Sequence, residues 1–243
     1  MYGRGTALSN RGLFDLQADA DILAGGNFGE TFDNTGILRK SGGTGVSPIS
    51  AELISHGAME ALSGTIGLRE GFFNEGIMRG TASYASARID NAGDVSPGMP
   101  DGADRIAKLT IDGALVEQSN GVLSFDVGAA GIGDLLALTG TAAFDGTVHV
   151  TNFEGYRPQV GDTYRVMNFA SYSGQLTDVI EYGIASGVQF GAVDSADHLD
   201  LVVLAAQAVP EPATWLLSLS GLMALGVLLK RRSLETQRDA MGR

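Results

Sequence analysis

The chain has 243 residues, 44% of them hydrophobic, which is too apolar for global disorder and long enough for one core or for a solenoid of short repeats. Thirty-five glycines against six prolines exclude a collagen-like or proline-rich chain, and the lack of cysteine excludes a disulfide framework, a thiolate metal site and a cysteine nucleophile. The formal charge of -12 is uneven, -14 over residues 1–209 and +3 over 230–243, so the main body lacks the clustered cations that nucleic acid requires.

From the start of the chain a short pattern recurs: apolar, x, Asn, x, Gly, apolar. It is carried by Leu8/Asn10/Gly12/Leu13, Phe32/Asn34/Gly36/Ile37, Phe72/Asn74/Gly76/Ile77 and Ile89/Asn91/Gly93, with a weaker copy at Leu53/Ser55/Gly57/Ala58. The glycines are spaced by 24, 21, 19 and 17 residues, the length of one solenoid rung. In this reading each Asn-x-Gly turns the chain, with Gly supplying a positive φ and Asn bonding the local backbone, while alternating apolars such as Leu13-Phe14-Asp15-Leu16 form short strands. One such rung cannot bury its apolar face alone, so the repeats are useful only in a stack. An antiparallel sandwich with Asn-Gly hairpins would use the same residues, and the drift of the period leaves it open.

Residues 94–104, with Pro97, Gly98, Pro100 and Gly102, read as an internal loop that separates rungs over 1–93 from a β-rich cap over 94–204. Beyond it, strand signals such as Val148-His149-Val150 and Tyr164-Arg165-Val166 are separated by Asp112-Gly113, Asn120-Gly121, Asp145-Gly146 and Gly161-Asp162, a hairpin-rich pattern. The segments NTGILRKSGGTGVSPIS, LSGTIGL, LTIDGALVEQSNGVLSFDV and GDLLALTGTAAFDGTVHVTNFEGYRPQVGDTYRVMNF resemble rungs of autotransporter-like and filamentous-adhesin-like bacterial surface proteins. The resemblance implies a right-handed parallel β-helix over most of residues 8–204 and names no ligand.

Right-handed β-helices also carry polysaccharide lyases and hydrolases, which need convergent carboxylates, or a base beside acidic calcium ligands, on neighbouring rungs. Asp15, Asp19 and Asp21 read as a solvated acidic face, and Asp194, Asp197 and Asp200 as a turn before the strand Leu199–Leu204. His56, His149 and His198 form no i, i+4 pair, so no metal is expected, and no cofactor motif is present. Ser63-Gly64 and Ser186-Gly187 lack the nucleophile-elbow glycines; Gly128 to Gly133 lacks a following dinucleotide helix; Lys40 precedes its glycines where a phosphate loop needs it after them. All of these read as turns or rung corners.

After a spacer at Gln207-Ala208, Val209-Pro210-Glu211-Pro212 precedes seventeen uncharged residues, Ala213 to Leu229, and then Lys230-Arg231-Arg232. At ~1.5 Å per residue the apolar run spans roughly 25 Å as a helix, slightly under the ~30 Å hydrocarbon thickness, so flanking residues must help. Trp215 suits one interface and the three cations the other, which keeps 233–243 cytoplasmic and exports everything before Val209. A buried core helix is the alternative for a run this short.

The stretch VPEPATWLLSLSGLMALGVLLKRR closely resembles the PEP-CTERM sorting signal of exopolysaccharide-producing Gram-negative bacteria. The resemblance implies that Pro210, Glu211 and Pro212, within a signal over 205–232, mark the region recognised by an exosortase, which removes the tail after inner-membrane insertion. Two features depart from the pattern: eleven residues follow the basic cluster, and the first thirty residues lack an apolar export segment, so an N-terminal truncation is expected. The expectation is therefore an exported, non-catalytic surface or matrix protein, associated with exopolysaccharide or another surface. The alternative is a secreted polysaccharide lyase or hydrolase.

Overall fold

The computed structural model describes residues 7–23, 30–101, 103–129, 131–153, 155–184 and 187–205. The expected transmembrane helix over Ala213 to Leu229 lies outside them. Among the described residues every regular element is a strand and none is a helix.

The strands come in groups as the chain advances. The first groups are β1 (Ala7–Asn10) and β2 (Leu13–Leu16), then β3 (Thr31–Asn34), β4 (Ile37–Lys40) and β5 (Val46–Pro48), then β6 (Glu52–Ser55), β7 (Ala58–Ala61) and β8 (Thr65–Gly67). They are followed by β9 (Phe72–Asn74) and β10 (Ile77–Gly80), by β11 (Ser83–Asn91) and β12 (Asp94–Pro97), and by β13 (Lys108–Glu117) and β14 (Val122–Val127). The last groups are β15 (Leu135–Leu138), β16 (Ala142–Phe144) and β17 (Thr147–Asn152), then β18 (Thr163–Asn168), β19 (Tyr172–Gly174) and β20 (Asp178–Tyr182), and finally β21 (Val188–Asp194) and β22 (His198–Ala205).

Two sheets result. An eight-stranded sheet runs β2-β4-β7-β10-β12-β14-β17-β20, and its pairs are parallel throughout. A fourteen-stranded sheet is ordered β1-β3-β6-β9-β11-β13-β15-β18-β22-β21, with β5, β8, β16 and β19 beside this path, and it is mixed only because β18, β22 and β21 pair antiparallel. Parallel pairing needs the chain to cross over between partners, and the second sheet supplies that crossing in each group.

The strand register coincides with the repeat read from the sequence. Asn10 pairs with Asn34, Asn34 with Ser55, Ser55 with Asn74, Asn74 with Asn91 and Asn91 with Glu117. Because side chains alternate faces along a strand, each group delivers its apolars to the same height. In the eight-stranded sheet Phe14, Leu38, Met59, Met78, Val95, Leu123, Val148 and Val179 are successive register partners. Six of these, Leu38 to Val148, are fully enclosed. Apolar side chains of both sheets belong to one continuous core, as when the Phe14 and Phe32 rings meet at 5.5 Å. Burying each such side chain contributes about 1.5–3 kcal/mol, repeated at every level of the stack.

The repeat glycines have a different role from the one expected. None of Gly12, Gly36, Gly57, Gly76 and Gly93 has a positive φ. Instead, a Cβ on Gly36, Gly57, Gly76 or Gly93 would lie 2.1–2.2 Å from the carbonyl oxygen of the preceding repeat glycine. Gly121 and Gly146 continue the column, each facing a backbone carbonyl at 2.4 Å. These positions need glycine because neighbouring groups approach too closely for any side chain, not because the turn is left-handed.

Two further expectations change. Asp94–Pro97 is not loop but strand β12, paired with β10 and β14, so the irregular segment begins at Gly98. Gly98 does adopt a left-handed φ of +80°, and its N–H bonds the Gly80 carbonyl at 2.7 Å. The cap is also not hairpin-rich over most of its length. Asp112-Gly113 lies inside β13, whereas Asn120-Gly121 and Asp145-Gly146 are corners between strands of different sheets, and antiparallel pairing is confined to the end. A turn dipeptide says that the chain bends; whether the next strand returns beside its predecessor depends on where that strand finds a partner.

Candidate functional site

Of the functional residues read from the sequence, Val209, Pro210, Glu211, Pro212, Trp215, Lys230, Arg231 and Arg232 all lie outside the described residues. The described body contains polar constellations whose side-chain contacts the sequence did not reveal.

The first is internal. The repeat asparagines face inward at the corner between the sheets and hydrogen-bond along the stack: Asn10 Nδ2 to Asn34 Oδ1 at 2.8 Å, Asn34 Nδ2 to Ser55 Oγ at 3.0 Å, Asn74 Nδ2 to Asn91 Oδ1 at 2.6 Å and Asn91 Nδ2 to Glu117 Oε1 at 2.8 Å. Each of Asn10, Asn74 and Asn91 also accepts from the N–H of the glycine two residues on, which explains the Asn-x-Gly spacing. A buried amide with both ends satisfied is tolerated where an unpaired one is costly. Glu117 ends the series, 2% exposed, with Oε2 enclosed and lacking a hydrogen-bond partner among the described residues. Burial pushes its carboxyl up to about 8 against the Asn91 hydrogen bond that favours ionisation. Desolvation likewise raises Asp134 to about 8, although it accepts from the N–H groups of Asp126 at 2.7 Å and Ala107 at 2.8 Å.

A second constellation crosses the eight-stranded sheet, where Arg39, Glu60, Arg79 and Ser96 are successive register partners. The enclosed Glu60 accepts from Arg39 Nε at 2.6 Å on one side and from Arg79 Nη2 at 2.5 Å on the other. Next to it a cleft of about 190 Å³ is lined by Arg79, Asp94, Ser96, Pro97, Met99 and Asp126, among others. Asp94 Oδ1 is enclosed there without a hydrogen-bond partner among the described residues, and desolvation raises this carboxyl. Asp126 is engaged by Arg105 Nε at 2.6 Å.

Lys40 also differs from expectation, whereas Asp19 and Asp21 are exposed, as a solvated acidic face requires. Lys40 is fully buried, donating to Asp19 Oδ1 at 2.8 Å, the Gly42 carbonyl at 2.8 Å and the Ala18 carbonyl at 3.3 Å. Asp19 therefore belongs to an ion pair, and its carboxyl is held below the usual range chiefly by the hydrogen bond from Lys40. Lys40 to Gly45 is a corner, with Gly43 at a φ of +72°. The histidines do not converge: His56 faces Glu75 at 3.4 Å, the His149 ring meets Tyr182 at 5.3 Å, and His198 Nδ1 lies 2.6 Å from Asp197. Among the described residues no group of three or more His, Cys, Asp or Glu could hold a metal ion.

A cleft of about 480 Å³ lies on the fourteen-stranded sheet. It sits where pairing between β6 and β9 is reduced to Ser55 with Asn74, whereas β3 and β6 pair over four residues and β9 and β11 over three. Above this point the strands part, and Ile54 and Phe73 stand on the surface, 39% and 48% exposed. Glu52, Arg69, Glu70 and Glu75 line the same cleft, and Gly71, at a φ of +70°, forms the tight turn that follows Glu70. Because Phe72 turns inward and Phe73 outward, the sequence reads simply as strand. The signal that could have marked the cleft is the loss of the repeat Asn at Ser55.

Comparison with protein-family models yields no match, and none is found among curated proteins.

Proposed function

We propose that the chain is an exported, non-catalytic cell-surface or extracellular-matrix protein whose body is a right-handed parallel β-helix and whose tail is an exosortase sorting signal. The observation that carries the sorting part is the run VPEPATWLLSLSGLMALGVLLKRR, in which a Pro-Glu-Pro motif, an uncharged stretch and a tribasic stop occur in the order and spacing a cleavable membrane anchor needs. Pro210 and Pro212 lack amide donors and bias the preceding residues away from the helical region, which keeps Glu211 open to a membrane-embedded peptidase. The β-helix part is supported by parallel pairing throughout one sheet and in all but the last pairs of the other, by parallel partners 17 to 31 residues apart and by a glycine column that lets successive coils approach closely.

The non-catalytic part is supported by the engagement of four carboxylates, and it reads Glu52, Glu70 and Glu75 of the larger cleft as groups that bind rather than cleave. Glu60 is spent on two arginines, Asp126 on Arg105, Asp19 on Lys40 and Asp134 on two backbone amides. A glycan-cleaving site needs an acid and a base facing a common substrate groove.

The test is expression of the chain with a functional export signal in a host that carries an exosortase. The mature protein is expected outside the inner membrane without an epitope placed after Arg232, and replacement of Pro210, Glu211 and Pro212 by alanine is expected to leave the uncleaved form in that membrane. An intact C-terminus on the wild-type protein outside the membrane overturns the assignment.

A further inference from the structure

We propose that the cleft between β6 and β9 is a binding subsite for a neutral hexopyranosyl chain. The inference deepens the surface-protein reading by naming the chemistry its body recognises, and it rests on that reading only for the expectation that a glycan is the partner.

Three observations converge on the same surface. The sheet is interrupted at this place: both neighbouring pairings are in register over several residues, and the β6–β9 pairing retains one. The gap has about 480 Å³, inside the roughly 300–1,000 Å³ typical of small-ligand sites. Its lining also holds both kinds of group that a sugar ring engages. A pyranose presents an apolar face of C–H groups and a rim of hydroxyls. Phe73 and Ile54, both exposed in the lining, offer apolar surface at low entropic cost, and Glu52, Glu70 and Arg69 of the same lining offer acceptors and a donor fork.

Charge selects among glycans. The cleft carries three glutamates against one arginine, with Glu75 already facing His56 at 3.4 Å, so a polyuronate or sulfated chain meets net repulsion. A neutral polyol meets none and can donate its hydroxyls to the carboxylates, which are stronger acceptors than neutral groups. The lining is also held in place from below. Ser86 Oγ donates to the Arg69 carbonyl at 2.8 Å, tying the turn that carries Glu70 and Gly71 to β11, and Phe72, 6% exposed, anchors β9 in the core. The site is thus built on strands and one pinned turn, which favours recognition without rearrangement.

The experiment is affinity electrophoresis of the purified full chain in gels containing dextran, galactomannan or polygalacturonate, with Phe73→Ala and Glu70→Gln alongside. At least one neutral polymer is expected to retard the protein, and retardation should persist in 0.5 M salt because no net charge is neutralised. Phe73→Ala is expected to weaken binding at least tenfold and Glu70→Gln about threefold, with melting curves unchanged, since both side chains are at the surface. Failure of both neutral polymers to bind, retardation by polygalacturonate instead, or wild-type binding by Phe73→Ala each overturns the proposal. The outcome is separable from the sorting assignment: a trimmed, exported protein that ignores neutral glycans refutes this subsite alone, and an untrimmed protein that binds them refutes the sorting signal alone.

Discussion

The groups up to β12 and those after it solve the same stacking problem with different material. In the first region the repeat period falls from 24 to 17 residues, and each corner is an Asn-x-Gly or its Ser55 substitute, so the inward amides bond one another and the glycines let the backbones touch. In the second region the spacing of parallel partners lengthens to 25–31 residues, the amide series ends on Glu117, and the next inward groups are Ala142 and Phe144. The glycine column continues through Gly121 and Gly146 even where the asparagines stop. Close backbone approach is therefore the general requirement of the stack, and the amide series is one local way to fill its corner. The far end closes by a change of pairing: β22 lies antiparallel between β18 and β21, which gives the final parallel strand a partner that needs no further crossover.

The largest effect is expected from the column itself. Gly76→Ala places a Cβ 2.1 Å from the Gly57 carbonyl and should cost about 4 kcal/mol or more, lowering the melting temperature by roughly 10 °C. Gly12→Ala, in the same repeat position but with nothing within 4 Å, should stay within about 0.5 kcal/mol. Equal tolerance of both substitutions in thermal melts would remove close approach as the reason for the repeat. Next comes the amide series. Asn91→Ala strips partners from Asn74, Glu117 and the Gly93 N–H at once and should cost about 2–3 kcal/mol, whereas Asn120→Ala, which loses one exposed bond to the Ala92 carbonyl, should cost less than about 0.5 kcal/mol.

Glu117 sharpens the comparison through pH. Its folded pKa of about 8 lies above the unfolded value near ~4.3, as does that of Asp134 above ~3.9, so both are protonated in the fold over a range where the unfolded chain has lost the proton. Their contribution to stability is fully present below about pH 4 and is lost as pH rises to about 8. Urea unfolding at pH 5 and pH 8.5 should therefore show Glu117→Gln more stable than wild type by about 1–3 kcal/mol at the higher pH, with a smaller difference at the lower, while the share from Asp134 persists. Identical pH profiles for the two proteins would place the ionised carboxylate in the corner. The smallest effect is expected at Arg39→Ala, about 0.5–1 kcal/mol by denaturant unfolding. Glu60 keeps Arg79 as its partner, and the Arg39 side chain, 29% exposed, already reaches solvent.

What the sequence determined by itself is the local grammar. Alternating apolars make strands, Asn-x-Gly makes a corner, and the distances between corners equal the strand register because a parallel stack must repeat its inward side chains at the same height. The sequence also carries the tail motif, whose residues are chemically specific without any fold. Tertiary structure decided everything that depends on the neighbouring group of strands. Nothing in the triplet Asn-x-Gly says that its glycine is required by a carbonyl twenty residues earlier, that Lys40 is drawn fully inside by three acceptors, or that Asp94–Pro97 pairs as a strand despite its proline. The cleft beside Phe73 belongs to the same class. It exists because two strands that read as ordinary rungs keep one registered pair, and the space between them is a property of their separation rather than of either sequence.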